Sequence, residues 1–318
     1  MSIAQNIKRR RLELKMSQQD LANALGYKSR ATIAKIEAEK NNIPHSKLKD
    51  FARVLDTTLD YIVRGEEKCF LVSGEDFNQY VNNHSNKNVA IILAGGKSTR
   101  NLQNIPNQFI NVFGKPVIIY CMEAYQRHPV IDEIYAICLK GWEGVLHAYA
   151  KEFNITKLKG IITGGNTGIE SVKIAVHNIM RTHADEDCIF LQESTRPLIN
   201  EEMISNAWTC YKQNGSAIAS LLMTDYVQFV ETDDGSLNYL DRDKVYSIQS
   251  PEVYNLHNLL DAISEAEINN MPLNQTCCAM LMYDLKRNLH FYISSTTNIK
   301  IVRQEDLAIF KTLLKQEQ

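Results

Sequence analysis

The 318-residue chain predicts two parts of different fold class: a small all-α segment at the N-terminus and a larger α/β domain behind it. Three observations carry this expectation. Residues 1–66 read as short amphipathic helices punctuated by serine caps and a glycine stop. From Val89 onward, short apolar runs alternate with helical stretches of ten or more residues, the pattern of a mostly parallel sheet covered by helices on both faces. The charge divides at the same place: residues 1–68 sum to +5 and residues 69–318 to −7, so any nucleic-acid contact is expected at the N-terminus.

In the first segment, residues 3–14 form an amphipathic helix with Ile3, Ile7 and Leu14 on one side and Lys8-Arg9-Arg10-Arg11 beside them. Ser17 is an N-cap with Asp20 at N3, Leu21 and Leu25 supply an apolar stripe, and Gly26 can take the left-handed position that ends the helix. Ser29 caps the next helix, which turns Ile33 and Ile36 inward. Two short helices joined by a tight glycine turn make a helix-turn-helix, whose second helix enters the DNA major groove. Further helices are expected over 46–55 and 59–63, with Phe51, Leu55, Tyr61 and Ile62 closing a small core. Residues 67–88 read as a linker, with a short strand over 66–74 and a short helix over 76–81 before the polar run Asn82-Asn-His-Ser-Asn-Lys-Asn88.

The large domain opens on Val89-Ala-Ile-Ile-Leu-Ala-Gly-Gly-Lys-Ser-Thr-Arg100, a doubly buried strand that breaks into a glycine turn followed by Lys97 and Arg100. Such a turn lets backbone N–H groups approach an anion closely, so it reads as a phosphate cradle, although glycine turns also end strands for steric reasons alone. Further strands are expected over 134–139, 159–163, 188–191, 217–223 and 299–302, and helices over 117–127, 144–153, 171–181, 201–214 and 256–267. Residues 227–230 and 237–240 flank Asp233-Asp-Gly235 and read as a β-hairpin, a natural dimerisation arm. No apolar run approaches the ~20 residues of a membrane span, and residues 1–11 lack the apolar core of a signal peptide, so a cytoplasmic protein is expected. Seven scattered cysteines without a CxxC spacing indicate neither a disulfide framework nor a zinc site.

Two family resemblances follow from these motifs. Ser17-Gln-Gln-Asp-Leu-Ala-Asn-Ala-Leu-Gly26 with Ser29-Arg-Ala-Thr-Ile-Ala-Lys-Ile-Glu37 resembles the Xre (Cro and lambda repressor-like) helix-turn-helix family. The resemblance implies a homodimer on a double-stranded DNA operator, with Gln18 touching phosphate or a base edge, Ser29, Arg30, Thr32 and Lys35 facing the groove, and Lys28 on the backbone. In the large domain, Leu93-Ala-Gly-Gly-Lys-Ser-Thr-Arg100, Pro106-Asn-Gln-Phe109, Gly114-Lys-Pro-Val117, Gly164-Gly165 with Ser171-Val172, Arg196-Pro197, Asp241-Arg242, Gln249-Ser-Pro251 and Asn298-Ile-Lys300 occur in one order. That order resembles the methylerythritol 4-phosphate and ribitol 5-phosphate cytidylyltransferases, leaning towards the ribitol branch. It implies a Rossmann-like nucleotidyltransferase sheet with helices on both faces and a β-hairpin arm over 89–318.

The family reaction implied is in-line attack of an alcohol phosphate oxygen on the α-phosphorus of CTP, with Mg²⁺ and release of pyrophosphate. Carried over by resemblance, Gly95, Gly96, Lys97 and Arg100 cradle the CTP phosphates, and Gly165, Asn166 and Ser171 contact the cytosine. Arg242 and Asp225 then meet the acceptor phosphate, Lys300 meets the transition-state charge, and Glu193 stands at the metal position. The departures are equally specific. The family Pro-Lys-Gln is Pro106-Asn107-Gln108, an expected arginine is Gly168, the aspartate of Asp-Ala-x-Arg-Pro is Glu193, Thr-Asp is Thr276-Cys277, and the aspartate before Asn-Ile-Lys is Thr297. Each lost charge or donor at a developing charge typically costs ~10²–10³ in rate. The expectation is therefore a DNA-binding transcriptional regulator whose large domain binds CTP or a CDP-alcohol, with catalysis weakened or lost. The alternative is an active cytidylyltransferase for a polyol or sugar-alcohol phosphate that regulates its own pathway.

Overall fold

The computed structural model describes residues 2–27, 29–41, 43, 45–55, 57, 62, 86–97, 105–223 and 227–316. Lys28, Arg100, Asp225, nearly all of the expected helix 59–63 and most of the linker 67–88 lie outside these residues. By compactness the chain divides into two units, residues 1–73 with 221–247, and residues 74–220 with 248–318.

The N-terminal helices form where their caps predict. Helix α1 (Ile3–Glu13) starts on a Ser2/Gln5 capping box, α2 (Gln18–Ala24) on a Ser17/Asp20 box, and α3 (Arg30–Glu37) on Ser29, whose Oγ accepts from the Ala31 N–H. Gly26 has φ +74°, the left-handed conformation that stops α2. With α4 (His45–Val54) these helices bury Ile7, Leu21, Leu25, Ile33, Ile36, Leu48, Phe51, Leu55 and Ile62 in one small core. Leu14, expected on the inner side, is instead 36% exposed, because α1 ends at Glu13 and the chain turns away.

The α/β domain is built on a seven-stranded sheet. In chain order its strands are β1 (Asn88–Ala94), β4 (Glu133–Cys138), β5 (Leu158–Thr163), β6 (Cys188–Glu193), β7 (Ser216–Leu222), β10 (Tyr246–Asn255) and β11 (Phe291–Ile293), and across the sheet they run β11-β7-β10-β6-β1-β4-β5. The small pair β2 (Asn111–Val112) and β3 (Lys115–Pro116) and the hairpin β8 (Gln228–Glu231) and β9 (Leu237–Leu240) stand apart from it. β1 is parallel to both β4 and β6 and buried on both faces, as its unbroken apolar run requires. Helices α7 (Gly168–Ile179) and α9 (Leu256–Ile268) bury Val172, Val176, Leu259 and Ile263 against Val89, Ile91 and Ile137 on one face. Helix α5 (Val117–Arg127) packs on β1 and β4, with α8 (Glu201–Asn214) beside it. Helices α6 (Glu143–Glu152), α10 (Cys278–Asp284) and α11 (Gln304–Gln316) complete the domain.

Two expectations are corrected. The segment 299–302 is not a strand: the Ile301 N–H donates to Thr195 O, and the carbonyls of Ile301 and Val302 accept from the Asn107 side chain, so its hydrogen bonds go to loops. The sheet instead takes β10, antiparallel to β6, and β11, parallel to β7, neither of which was expected. The hairpin forms as expected, in register Phe229 to Tyr239, with those rings edge to face at 6.0 Å and both more than half exposed.

Candidate functional site

Parallel strands end with their carboxyl termini on one edge of the sheet, where loops can converge on a ligand. Here β1, β4, β5 and β6 do so, and the registers place Glu193 beside Leu93 and Cys138 beside Ala94. The Ser194 N–H donates to Leu93 O and the Leu139 N–H to Ala94 O, so both neighbouring loops are tied to the glycine turn after β1.

Two glycine turns close on each other around Ser171. Its Oγ donates to Thr167 O at 2.9 Å and accepts from the Gly165 N–H at 3.1 Å. A Cβ on Gly95 would stand 3.6 Å from that Oγ and 3.9 Å from Gly164, and a Cβ on Gly165 would stand 2.7 Å from Glu170 Cβ. Gly165 is therefore required by packing, whereas a Cβ on Gly96 would meet nothing within 4 Å among the described residues. Gly96 and Lys97 are exposed beside this junction, as is Asn166, whose N–H is held by Glu170 Oε2 at 2.7 Å. Thr167 and Glu170 form the capping box of α7, so the N–H groups of this turn are largely satisfied within the protein.

On the other side of β1, Glu193 is held by two cations. Arg196 Nε donates to Glu193 Oε2 at 2.6 Å and Lys300 Nζ donates to Glu193 Oε1. Burial favours the neutral acid, but the charges of Arg196 and Lys300 outweigh it and hold Glu193 below the usual carboxylate range. Arg196 also donates to Asn298 O at 2.7 Å, which fastens the Lys300 segment to the loop after β6. The structure thus brings Gly95, Gly165 and Ser171 together, and separately Glu193 and Lys300, on neighbouring strand ends. Arg242 opens the 3₁₀ turn Arg242–Lys244 and belongs to the other compact unit. Arg100 and Asp225 lie outside the described residues.

Sequence reasoning missed three features of the site. The first is Gln108, whose Nε2 donates to Ala94 O at 2.8 Å and Gly96 O at 3.0 Å, bracing the glycine turn. The second is the partner of Asn107, which is 2% exposed and donates from Nδ2 to Ile301 O at 3.2 Å and Val302 O at 3.1 Å. The third is Glu252 on β10, whose burial pushes its pKa up to about 7, against hydrogen bonds from Tyr254 Oη and the Ala279 N–H and assisted by the charge of Glu193. Gly168 has a steric reason to be small: a Cβ there would stand 3.3 Å from Thr276 O. Among the described residues no three His, Cys, Asp or Glu side chains lie close enough to form a metal cage. A divalent cation at Glu193 would take its remaining ligands from phosphates and water, the usual habit of Mg²⁺.

In the helix-turn-helix, Ser29, Arg30 and Lys35 are exposed on α3 and Thr32 is half-buried. Gln18 Nε2 donates to Glu37 Oε2 at 2.9 Å, and Glu37 is clamped by Arg11 through Nε at 2.6 Å and Nη2 at 3.0 Å. This buried pair joins α1, α2 and α3 and was not anticipated; no local sequence signal connects Arg11 with Glu37. No helix among the described residues is long and apolar enough to cross a membrane.

A helix-turn-helix family model matches residues 7–62. Over 230 residues the chain is 33% identical to the ribitol-5-phosphate cytidylyltransferase of Lacticaseibacillus paracasei, covering 72% of this chain and 98% of that protein. It is 25% identical over 230 residues to the 2-C-methyl-D-erythritol 4-phosphate cytidylyltransferase of Clostridium botulinum, covering 72% and 98% respectively. The fold matches the crystal structure of 4-diphosphocytidyl-2C-methyl-D-erythritol synthase from Anaerococcus prevotii with a TM-score of 0.62 at 20% identity, over 72% of this chain and 99% of that one. The model of the IspD family, 2-C-methyl-D-erythritol 4-phosphate cytidylyltransferase, matches residues 88–316, and the chain therefore belongs to that family, with a helix-turn-helix ahead of the family domain.

Proposed function

We propose that this protein is a DNA-binding transcriptional regulator whose cytidylyltransferase domain binds CTP or a CDP-alcohol and in which the transferring machinery is weakened. The observation that carries this reading is the fate of Asn107. Gly95 packs against Gly164 and Ser171 at the junction of the two glycine turns, while Asn107, where the family resemblance places a lysine, donates to two backbone carbonyls and brings no charge to a phosphate. A glycine turn beside Lys97 with one cation fewer at the transferring group favours holding a nucleotide over consuming it.

In this reading Gly96, Lys97 and Arg100 meet the triphosphate, Asn166 and Ser171 the cytosine, and Arg242 and Asp225 the phosphate of the alcohol. Lys300 is drawn from Glu193 to the nucleotide. Glu193 would hold a Mg²⁺ bound with CTP, whose charge would offset that of the phosphates. Ser29, Arg30, Thr32 and Lys35 read the operator, with Gln18 on a phosphate or a base edge and Lys28 on the backbone. One such module grips DNA weakly, and the exposed Phe229, Leu237 and Tyr239 of the hairpin support a homodimer on a two-fold operator. DNA and CTP as partners put its work in the cytoplasm.

Calorimetric titration of the full chain with CTP and Mg²⁺, followed by gel shift of the operator with and without CTP, tests the reading. Saturable CTP binding that changes operator affinity supports it, and absence of CTP binding ends it. A second reading, an active cytidylyltransferase for a ribitol-phosphate-like alcohol, draws on the adjacent Glu193 and Lys300 and on the 33% identity to a ribitol-5-phosphate enzyme. Pyrophosphate release with ribitol 5-phosphate, lost on Lys300→Ala, would select it.

A further inference from the structure

We propose that Asn107 is a positioning residue that holds Lys300 in register with the phosphate-binding glycine turn. The 3₁₀ turn Asn107–Phe109 is seated firmly: Phe109 stacks on Trp142 at 4.6 Å, and both polar side chains of the turn are 2% exposed. Its two amides point to different places. Gln108 grips Ala94 O and Gly96 O, on either side of Gly95. Asn107 grips Ile301 O and Val302 O, the two residues that follow Lys300. A single short turn therefore ties the glycine cradle to the segment carrying Lys300, although about two hundred residues of chain separate them.

The remaining anchors of that segment come from elsewhere. The Ile301 N–H donates to Thr195 O, Arg196 Nη1 donates to Asn298 O, and the Val302 and Arg303 N–H groups donate to Asp306 Oδ2 at 2.9 and 2.8 Å. They tie Lys300 to Glu193 and to α11, but among the described residues none of them reaches the glycine turn. Asn107 supplies that connection, and carbonyl acceptors explain why a side-chain amide, with two donors on one nitrogen, suits the position. Its consequence for nucleotide binding rests on the reading of the glycine turns as a triphosphate cradle.

The test uses the full chain and Asn107→Leu, which keeps the volume of the side chain and removes both donors. Thermal unfolding first establishes that the variant folds; if it does not, Asn107→Ala, smaller and likewise without a side-chain donor, replaces it in every arm. One arm needs no nucleotide: limited acetylation by an amine-reactive ester, read by mass spectrometry, follows Lys300 against Lys311 as internal reference. The variant should acetylate Lys300 several-fold faster, as the ammonium leaves Glu193 more often. The second arm is a double-mutant cycle on CTP affinity with Lys300→Ala. Asn107→Leu should weaken CTP by about tenfold in the parental chain and much less in the Lys300→Ala background, because misplacing a group and deleting it are not additive losses. Unchanged Lys300 reactivity, or an affinity loss undiminished when Lys300 is already alanine, overturns the proposal. A parental chain that binds no CTP while the variant exposes Lys300 would retain the positioning role and reject the nucleotide reading instead.

Discussion

Gly96→Ala separates a glycine kept for the fold from one kept for a ligand. Among the described residues a Cβ at this position would meet no atom within 4 Å, and its φ lies outside the left-handed region, so alanine fits without strain. The fold should be unharmed or stabilised by about 0.4–1 kcal/mol, since alanine restricts the unfolded chain. If the empty space in front of Gly96 is where a phosphate approaches the backbone, the methyl displaces one hydrogen bond to a charged group, worth about 1.5–3 kcal/mol. CTP affinity should then fall roughly 10- to 150-fold. The contrast is Gly165→Ala, where the new Cβ would lie 2.7 Å from Glu170 Cβ and 3.2 Å from its carbonyl carbon. That variant should lose about 1–3 kcal/mol of stability, so its loss of CTP binding carries no information about the ligand. Calorimetric titration paired with thermal melts reads both quantities. An affinity within roughly twofold of the parental chain for a folded Gly96→Ala protein would mean that no phosphate sits against this turn.

Three further outcomes are expected. Glu37→Ala leaves the buried Arg11 guanidinium without its carboxylate and should cost about 3–5 kcal/mol, enough to lose operator binding and the melting transition of the small domain while the larger transition remains; full operator affinity would contradict it. Arg30→Ala, exposed at the start of α3, should weaken operator binding by about 1–3 kcal/mol and relax preference at one base pair, and an unchanged gel shift would remove α3 from the major groove. Burial lowers the pKa of His128 to about 4, and Val130 N–H donating to its Nδ1 selects the neutral form with hydrogen on Nε2, facing Ser205. Because the unfolded chain binds that proton first, stability should decline as pH falls from about 6.5 to 4, by roughly 3 kcal/mol in all. Glu252, pushed up to about 7, acts oppositely, losing stability as pH rises from about 4.5 to 7, so urea midpoints must be compared between parental and His128→Gln chains. Equal slopes for the two would reject the assignment to His128.

The elements legible in the sequence are those whose burial is apolar. β1, β4, β6 and β7 are mostly apolar and appear where expected, as does β5 around Ile161-Ile162, and the caps Ser17 and Ser29 with Gly26 placed α2 and α3. β10 escaped for the opposite reason. Its buried stretch contains Gln249, Ser250, Pro251 and Glu252, a composition that reads as a loop. Those polar side chains are buried because they serve the site. The Ser250 hydroxyl accepts from the Glu193 N–H at 3.1 Å, the Gln249 carbonyl oxygen accepts from Asn298, and Glu252 accepts from the start of α10. A strand that lines a polar site is hidden from any reading based on hydrophobic periodicity. The 299–302 segment is the converse case, apolar enough to suggest a strand yet bonded to loops.

The site shows the same division. Glycine turns and a nearby serine are local signals, and Gly95, Gly165 and Ser171 do converge. Side chains that bind backbone distant in sequence leave no local signal, so the sequence could register a missing lysine at Asn107 and a missing arginine at Gly168 without saying what replaced them. In both places the replacement is a close approach of backbone: the carbonyls of Ile301 and Val302 against Asn107, and Thr276 O against the space a Cβ of Gly168 would fill. A Cβ at Gly168 would need Thr276 O to give by a few tenths of an ångström, and a longer side chain at Asn107 would have to meet the carbonyls of Ile301 and Val302 from a different position. The two departures are therefore not simple deletions of charge. Each position is set against backbone, Asn107 by its bonds to Ile301 O and Val302 O and Gly168 by the 3.3 Å that a Cβ would leave to Thr276 O, so the loss of a long cation comes with a local packing reason.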